Sequence, residues 1–346
     1  MLESAFLKQA DSCEMLGSPF TARILRLLAS KSPENGPVWQ KIRNWPGDVT
    51  ATGDAVALRF ASALHGLVLE GQSETLASVY PPNHEMVSDA KLWQVIHANV
   101  DQHSEYVLER LTRPPQTNVT RRSSAILLGA AEAVRQTGIH RLKTFEVGAS
   151  AGLNLHWDQN FYDFGGQQWG NPAAPIALTP DCSARFEAFP EIEVISRRGC
   201  DLTPLDLTDR GEQLRLMSYV WPDQTDRLSR LKAAIERFAA SALKVEKADA
   251  VSWLEEVLQE PTDNSIRFVY HTVVAQYFPE EVKQAFELCL QKAGERASKN
   301  TPLAWLSMET DGGIEGALLR LTVWPEGRVV DLARVDFHGR WVRPII

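Results

Sequence analysis

The sequence predicts an α/β fold, a mostly parallel sheet ending in an antiparallel hairpin and preceded by an all-helical N-terminal part. Three observations predict it. From Leu142 onward, short apolar runs alternate with helical patterns, the sign of parallel strands joined by crossover helices. Before about residue 113, apolar residues recur only at helical spacing. Near the C-terminus, two longer β segments flank the turn Pro325-Glu326-Gly327.

Taken in order, residues 22–29 form an amphipathic helix stopped at Ser32-Pro33, and residues 55–69 and 90–111 carry two longer helical patterns. Pro81-Pro82 and Pro114-Pro115 are breakers between helices. A further helix, residues 123–136, ends at Gly138. This places a helical N-terminal or lid domain at 1–120 and a sheet domain at 121–346, with an irregular Gly/Pro/aromatic insert at about 160–190. The expected strands are 142–147, 192–200, 243–247, 266–271 and 303–308, then the hairpin segments 317–324 and 329–337. Helices are expected from about Ala151, over 227–238, from Val251 and from about Glu280. Five alternating strands followed by a hairpin match the sheet of the Rossmann-like S-adenosylmethionine-dependent methyltransferase fold. An ordinary nicotinamide-binding fold ends instead in another βα unit.

Composition narrows the class further. With 44% hydrophobic and 23% charged residues, the 346-residue chain can bury a core. A formal charge of −8 argues against a duplex nucleic-acid binder, which needs a basic face. Cys13, Cys182, Cys200 and Cys289 are widely spaced and contain no Cys-x-x-Cys pair, so they read as reduced thiols. His97, Asp101 and His103 share one helix, but histidines six residues apart do not share its face, and no HExxH pattern occurs, so no metal site is expected. No run reaches the ~18 apolar residues of a membrane span. The expectation is a cytoplasmic protein acting on a small molecule, without nucleic acid or membrane; oligomeric state cannot be read from the sequence.

The chemistry-bearing stretch is Glu146-Val147-Gly148-Ala149-Ser150-Ala151-Gly152-Leu153-Asn154. A buried strand ends in an acid and then a turn of small residues, which lets backbone N–H groups meet a ligand. Glu146 can meet the amino-acid end of a methyl donor, with Gly148, Ala149, Ser150 and Gly152 forming the cradle. Asp201, ending the second strand, can bind ribose hydroxyls. Asp249, after the third, can accept from an adenine amino group, or cap the following helix. His271 and Tyr277, at the carboxyl end of the fourth, are candidates for deprotonating an acceptor or lining its pocket. The same turn spells Gly148-x-Ser150-x-Gly152, the spacing of a serine nucleophile elbow, with Asp311 and His338 in the required chain order. Against that, a hydrolase elbow follows several strands, and here only helices precede it.

With these motifs in view, the chain resembles a bacterial family of unknown function, domain-of-unknown-function family 2332. The resemblance rests on Pro115-Gln116-Thr117-Asn118, Arg122-Ser123, residues 146–155, residues 197–206, Val220-Trp221-Pro222-Asp223-Gln224, His271-Thr272, Gln276-Tyr277 and His338-Gly339-Arg340-Trp341. The family carries an acid after Gln-Thr-Asn, where Val119 stands here. The resemblance implies a methyltransferase-like fold without an established reaction. It also implies Asn154 as a cofactor contact, and Arg197, Arg198, Trp221 and His338 as second-substrate contacts; the arginines could instead pair with local acids. The expected activity is S-adenosylmethionine-dependent methyl transfer to a small acceptor. The alternatives are a non-catalytic nucleoside-binding or vestigial protein, and a serine hydrolase using Ser150.

Overall fold

The computed structural model describes residues 2–31, 35–116, 118–182, 184–262, 264–313 and 315–345. The helix stop at Ser32-Pro33 and Thr117 of the Gln-Thr-Asn segment lie outside these residues. The chain forms two compact units, Met1–Thr117 with Thr208–Lys232, and Asn118–Leu207 with Ala233–Ile346. Residues 208–232 thus group with the N-terminal segment, although by sequence they fall inside the predicted sheet domain.

In chain order the elements begin with seven helices, α1 (Leu2–Met15), α2 (Pro19–Lys31), α3 (Pro37–Arg43), α4 (Val56–Leu69), α5 (Glu74–Ala77), α6 (Asp89–Gln102) and α7 (Ser104–Thr112). Next come α8 (Ser123–Thr137), β1 (Arg141–Val147), β2 (Phe161–Phe164), β3 (Gln167–Trp169), β4 (Ala177–Leu178) and β5 (Glu193–Asp201). They are followed by α9 (Arg210–Ser218), α10 (Thr225–Ala239), β6 (Glu246–Lys247), α11 (Ala250–Val257), β7 (Ile266–Thr272) and α12 (Glu280–Glu295). The chain closes with β8 (Leu303–Glu309), β9 (Ala317–Trp324), β10 (Arg328–Val335) and β11 (Val342–Pro344).

The first unit is built around α4, which is apolar on most of its circumference and buries Val56, Phe60, Ala63, Leu64 and Leu67. The single helix expected over 90–111 breaks at His103, whose backbone leaves helical geometry between α6 and α7. His97 stacks on Trp39 and sits 3.3 Å from Asp101. Asp223 explains why residues 208–232 join this unit. Its carboxylate accepts from Ser18 Oγ and, at 2.9 Å, from the Phe20 N–H, one of the otherwise unpaired donors at the start of α2. Trp221, beside it, packs on the same helical core.

The second unit holds an eight-stranded sheet in the order β11-β10-β9-β8-β7-β1-β5-β6. Strands β6, β5, β1, β7 and β8 pair in parallel; β9, β10 and β11 each run antiparallel to the strand before. The hairpin is β9–β10. The third predicted strand shrinks to two paired residues, Glu246–Lys247, and β11 has no counterpart in the sequence reading. The insert forms a separate small sheet in the order β3-β2-β4. After β1 the chain moves outward through β5 and β6, then crosses back to β7 and β8 on the other side of β1. The switch point therefore lies beyond the carboxyl ends of β1 and β7, where open α/β sheets bind ligands. Helix α8 lies close on this sheet: a methyl group at Gly129 would fall 2.4 Å from Leu306 Cδ1.

Removing the cap on α2 tests the assignment of residues 208–232. Asp223→Ala leaves the Phe20 N–H without its acceptor and removes one of the Ser18 hydroxyl's two, and should lower stability by about 1–2 kcal/mol in urea titrations. An unchanged midpoint would remove this role.

Candidate functional site

Glu146 ends β1 inside the protein, only 3% exposed. Burial pushes its carboxyl well above the usual carboxylate range. Asn154, the charge of Arg122 and the Tyr270 hydroxyl pull it down, and Asp201 adds to the push. Asn154 is itself held by Ser123 Oγ, which donates to Asn154 Oδ1 at 2.9 Å. Glu146 Oε2 has no hydrogen-bond partner.

The turn after β1 takes positive φ at Gly148 (69°), Ser150 (53°) and Gly152 (74°). It is closed by its own contacts. Asp201 Oδ2 accepts from the Ser150 N–H at 2.8 Å, Asp201 Oδ1 accepts from the Thr203 N–H at 2.8 Å, and Asn118 Nδ2 donates to the Ala149 carbonyl at 2.9 Å. Three polar atoms around this turn are buried without a partner: Glu146 Oε2, Ser150 Oγ and Asn118 Oδ1. The glycines do not stand open. A Cβ at Gly148 would lie 2.5 Å from Val274, and one at Gly152 would lie 2.5 Å from Phe238. Their smallness serves the packing of the chain itself.

The other sequence candidates separate. Asp249 caps α11, its Oδ1 accepting from the Val251 and Ser252 N–H groups at 3.0 and 3.1 Å. Arg197 pairs with Asp158, and Arg198 with Glu246 and Glu260, so both take the local-acid alternative. Trp221 belongs to the first unit. Tyr277 is 76% exposed, outside any desolvated site. His338 sits in a turn that Asp336 organises by accepting from the His338 and Arg340 N–H groups and pairing with the Arg340 side chain. The elbow serine lacks its triad: the Ser150 hydroxyl has no partner, and Asp311 is engaged by Arg334 at 2.7 Å and by the Gly313 N–H.

What the structure adds is a dyad. His271, 2% exposed at the end of β7, meets Glu309 at the end of β8, with Nδ1 and Oε1 2.7 Å apart. Burial alone would raise the Glu309 carboxyl. The hydrogen bond and charge of His271 and the Val274 and Ala275 N–H donors outweigh it and hold the group below its ordinary range. Glu309 is thus the acceptor and His271 Nδ1 the donor; in the neutral ring this leaves Nε2 as the acceptor atom. Nε2 and Glu309 Oε2 are both buried without partners. The dyad lines a cavity of about 260 Å³ bounded by α12, β8 and the start of β9.

Between cradle and dyad runs the segment after β7. Val273 takes φ 58°, a costly conformation for a β-branched residue. Val274 donates its N–H to Glu309 Oε1 at 2.8 Å and lays its side chain on Gly148. Arg122 braces this corner, donating to the Thr272 carbonyl at 3.1 Å and the Phe337 carbonyl at 2.8 Å. Burial lowers the pKa of its guanidinium to about 10, against the attraction of Glu309, Tyr277, Glu146 and Asp336.

Glu309, Arg122 and Asn118 were not among the candidates drawn from the sequence. Glu309 carries the same signal as Glu146, an acid closing an apolar strand.

The fold is mixed α/β with a mostly parallel eight-stranded sheet, and acids stand at the carboxyl ends of β1, β5 and β8. The chain belongs to the family described as an uncharacterized protein conserved in bacteria (DUF2332), whose family model matches residues 3–343. Comparisons with curated proteins and with solved structures gave no match. Among the described residues, no helix is long and apolar enough to cross a membrane, and no three His, Cys, Asp or Glu side chains are grouped for a metal.

The Glu146 environment predicts a pH dependence. The folded-state pKa lies above the ordinary value of 4.5, so the stability contributed by the protonated group is complete below pH 4.5 and is lost as pH rises toward the folded value. Glu146→Gln has no such loss. Relative to wild type, its stability should therefore grow as pH rises above 4.5 toward the folded value, by up to about 1.4 kcal/mol per pH unit. Parallel urea midpoints across that range would show that Glu146 ionises normally.

Proposed function

We propose that the protein is an S-adenosylmethionine-dependent methyltransferase acting on a small-molecule acceptor. The observation that supports this most is the trio of unpartnered polar atoms, Glu146 Oε2, Ser150 Oγ and Asn118 Oδ1, around the turn at the switch point. Unpartnered buried polar atoms are costly, and a ligand that satisfies them recovers that cost. These residues fit the methyl donor. Glu146 would hold its amino group and give up a proton to do so. Asp201 would hold the ribose hydroxyls with the lone pairs its two N–H contacts leave unused. Asp249 would meet the adenine through Oδ2, which the α11 cap does not use. When bound, the donor supplies an electrophilic methyl group on a sulfonium.

The remaining steps belong to the chain. Holding donor and acceptor in attack geometry supplies most of the acceleration in such a transfer. His271, oriented through Nδ1 by Glu309, would take the acceptor proton at Nε2. A second reading, nucleoside binding without turnover, draws on Val274, which covers Gly148 where a ligand would approach the backbone. The hydrolase reading has no such support.

At about a hundred times its Kd, S-adenosylmethionine should stabilise the protein by ~2.7 kcal/mol in thermal melts, and Glu146→Gln should lose most of that shift. Calorimetry in buffers of different ionisation heat should show proton release on binding to wild type. No shift at millimolar donor or demethylated product would sink the reading. A shift without turnover over a broad acceptor panel would favour the binding-only form.

A further inference from the structure

The cavity beside the dyad has features of its own that the proposed methyl donor does not use. It lies at the carboxyl ends of β7 and β8 and at the first turns of α12, the edge of the sheet where ligands bind. Its volume of about 260 Å³ suits an amino-acid-sized molecule. The walls are aromatic, from Phe278, Phe286 and Trp305. His271 packs edge-on to Phe286 and tilted against Trp305, so its ring is fixed from two sides as well as by Glu309.

At the inner end, three polar atoms of lining residues are buried without a partner: His271 Nε2, Glu309 Oε2 and the Trp305 indole N–H. A hydroxyl matches this set, since it both donates and accepts. The outer end carries charge. Lys283 and Glu287 lie one turn apart on α12 and both line the cavity, and among the described residues neither has an ion-pair partner within 4.0 Å. The other charged lining residues are committed, Glu309 to His271, Asp311 to Arg334 and Arg320 to Asp331. Among the described lining residues, one cation without an ion pair beside one such anion matches a zwitterion better than a simple acid or amine.

The geometry points to a small zwitterion of amino-acid type with a hydroxylated aromatic ring as the ligand of this cavity. The ring lies between the aromatic walls, its hydroxyl meets His271 and its neighbours, and the carboxylate and ammonium meet Lys283 and Glu287. The assignment needs no methyl donor, so it stands or falls separately from the proposed transfer.

L-Tyrosine titrated into the full-length protein without donor is the probe. Calorimetry should show saturable binding. Tyramine, which lacks the carboxylate, 3-(4-hydroxyphenyl)propionate, which lacks the ammonium, and L-phenylalanine, which lacks the hydroxyl, should each bind at least about tenfold more weakly. Lys283→Met should abolish the preference for tyrosine over tyramine alone, and Glu287→Gln the preference over the propionate alone. Lys283 is half-buried and Glu287 exposed, and thermal melts check that the variants remain folded. No heat at millimolar L-tyrosine, or preferences untouched by both substitutions, would overturn the assignment.

Discussion

The corner at Val274 joins the cradle turn after β1 to the His271–Glu309 dyad. Its N–H is held by Glu309, Glu309 holds His271, and its side chain rests on Gly148 at the cradle turn. Through one residue, the ends of β1, β7 and β8 are fixed relative to one another. The strained backbone at Val273 is tolerated because the Val273 N–H bonds the Met308 carbonyl and Arg122 pins the Thr272 carbonyl. A larger residue than glycine at position 148 would push Val274 away and loosen the dyad with it.

The same corner gathers ionisable groups away from water. Glu146, Glu309, His271 and Arg122 all lie within it, with few direct ion pairs among them. Only Glu309 and His271 bond each other; Arg122 bonds carbonyls, and one oxygen of Glu146 bonds nothing. A fold does not keep such groups for stability, since well-packed apolar side chains would do at least as well. Their gathering in one place is what makes this corner the candidate site.

Two of the segments behind the family resemblance acquire structural roles. Trp221-Pro222-Asp223 closes the start of α2 and fastens residues 208–232 to the helical unit. His338-Gly339-Arg340 forms an Asp336-centred turn whose Gly339 lies against the Arg121 backbone, while Arg122 reaches the Phe337 carbonyl. In both segments an aspartate organises the local backbone. The elements that hold Asn154 and Arg122 in place are likewise far from them in sequence.

The sequence by itself determined the alternation of strands and helices after Leu142, the hairpin around Pro325-Glu326-Gly327 and the polar turn after β1. Those signals are local: side-chain periodicity and turn chemistry act over a few residues. It also found Glu146 and His271, since each ends an apolar strand. Only the tertiary structure decided which acids were free. Asp249 proved to be a helix cap and Arg197 and Arg198 proved to be paired, because their partners are chosen by packing across the sheet. It likewise decided that Glu309, 38 residues after His271, completes a dyad, and that residues 208–232 belong with the helices. Parallel pairing brings together strand ends that the chain separates by a whole crossover helix, and no local pattern encodes which ends will meet.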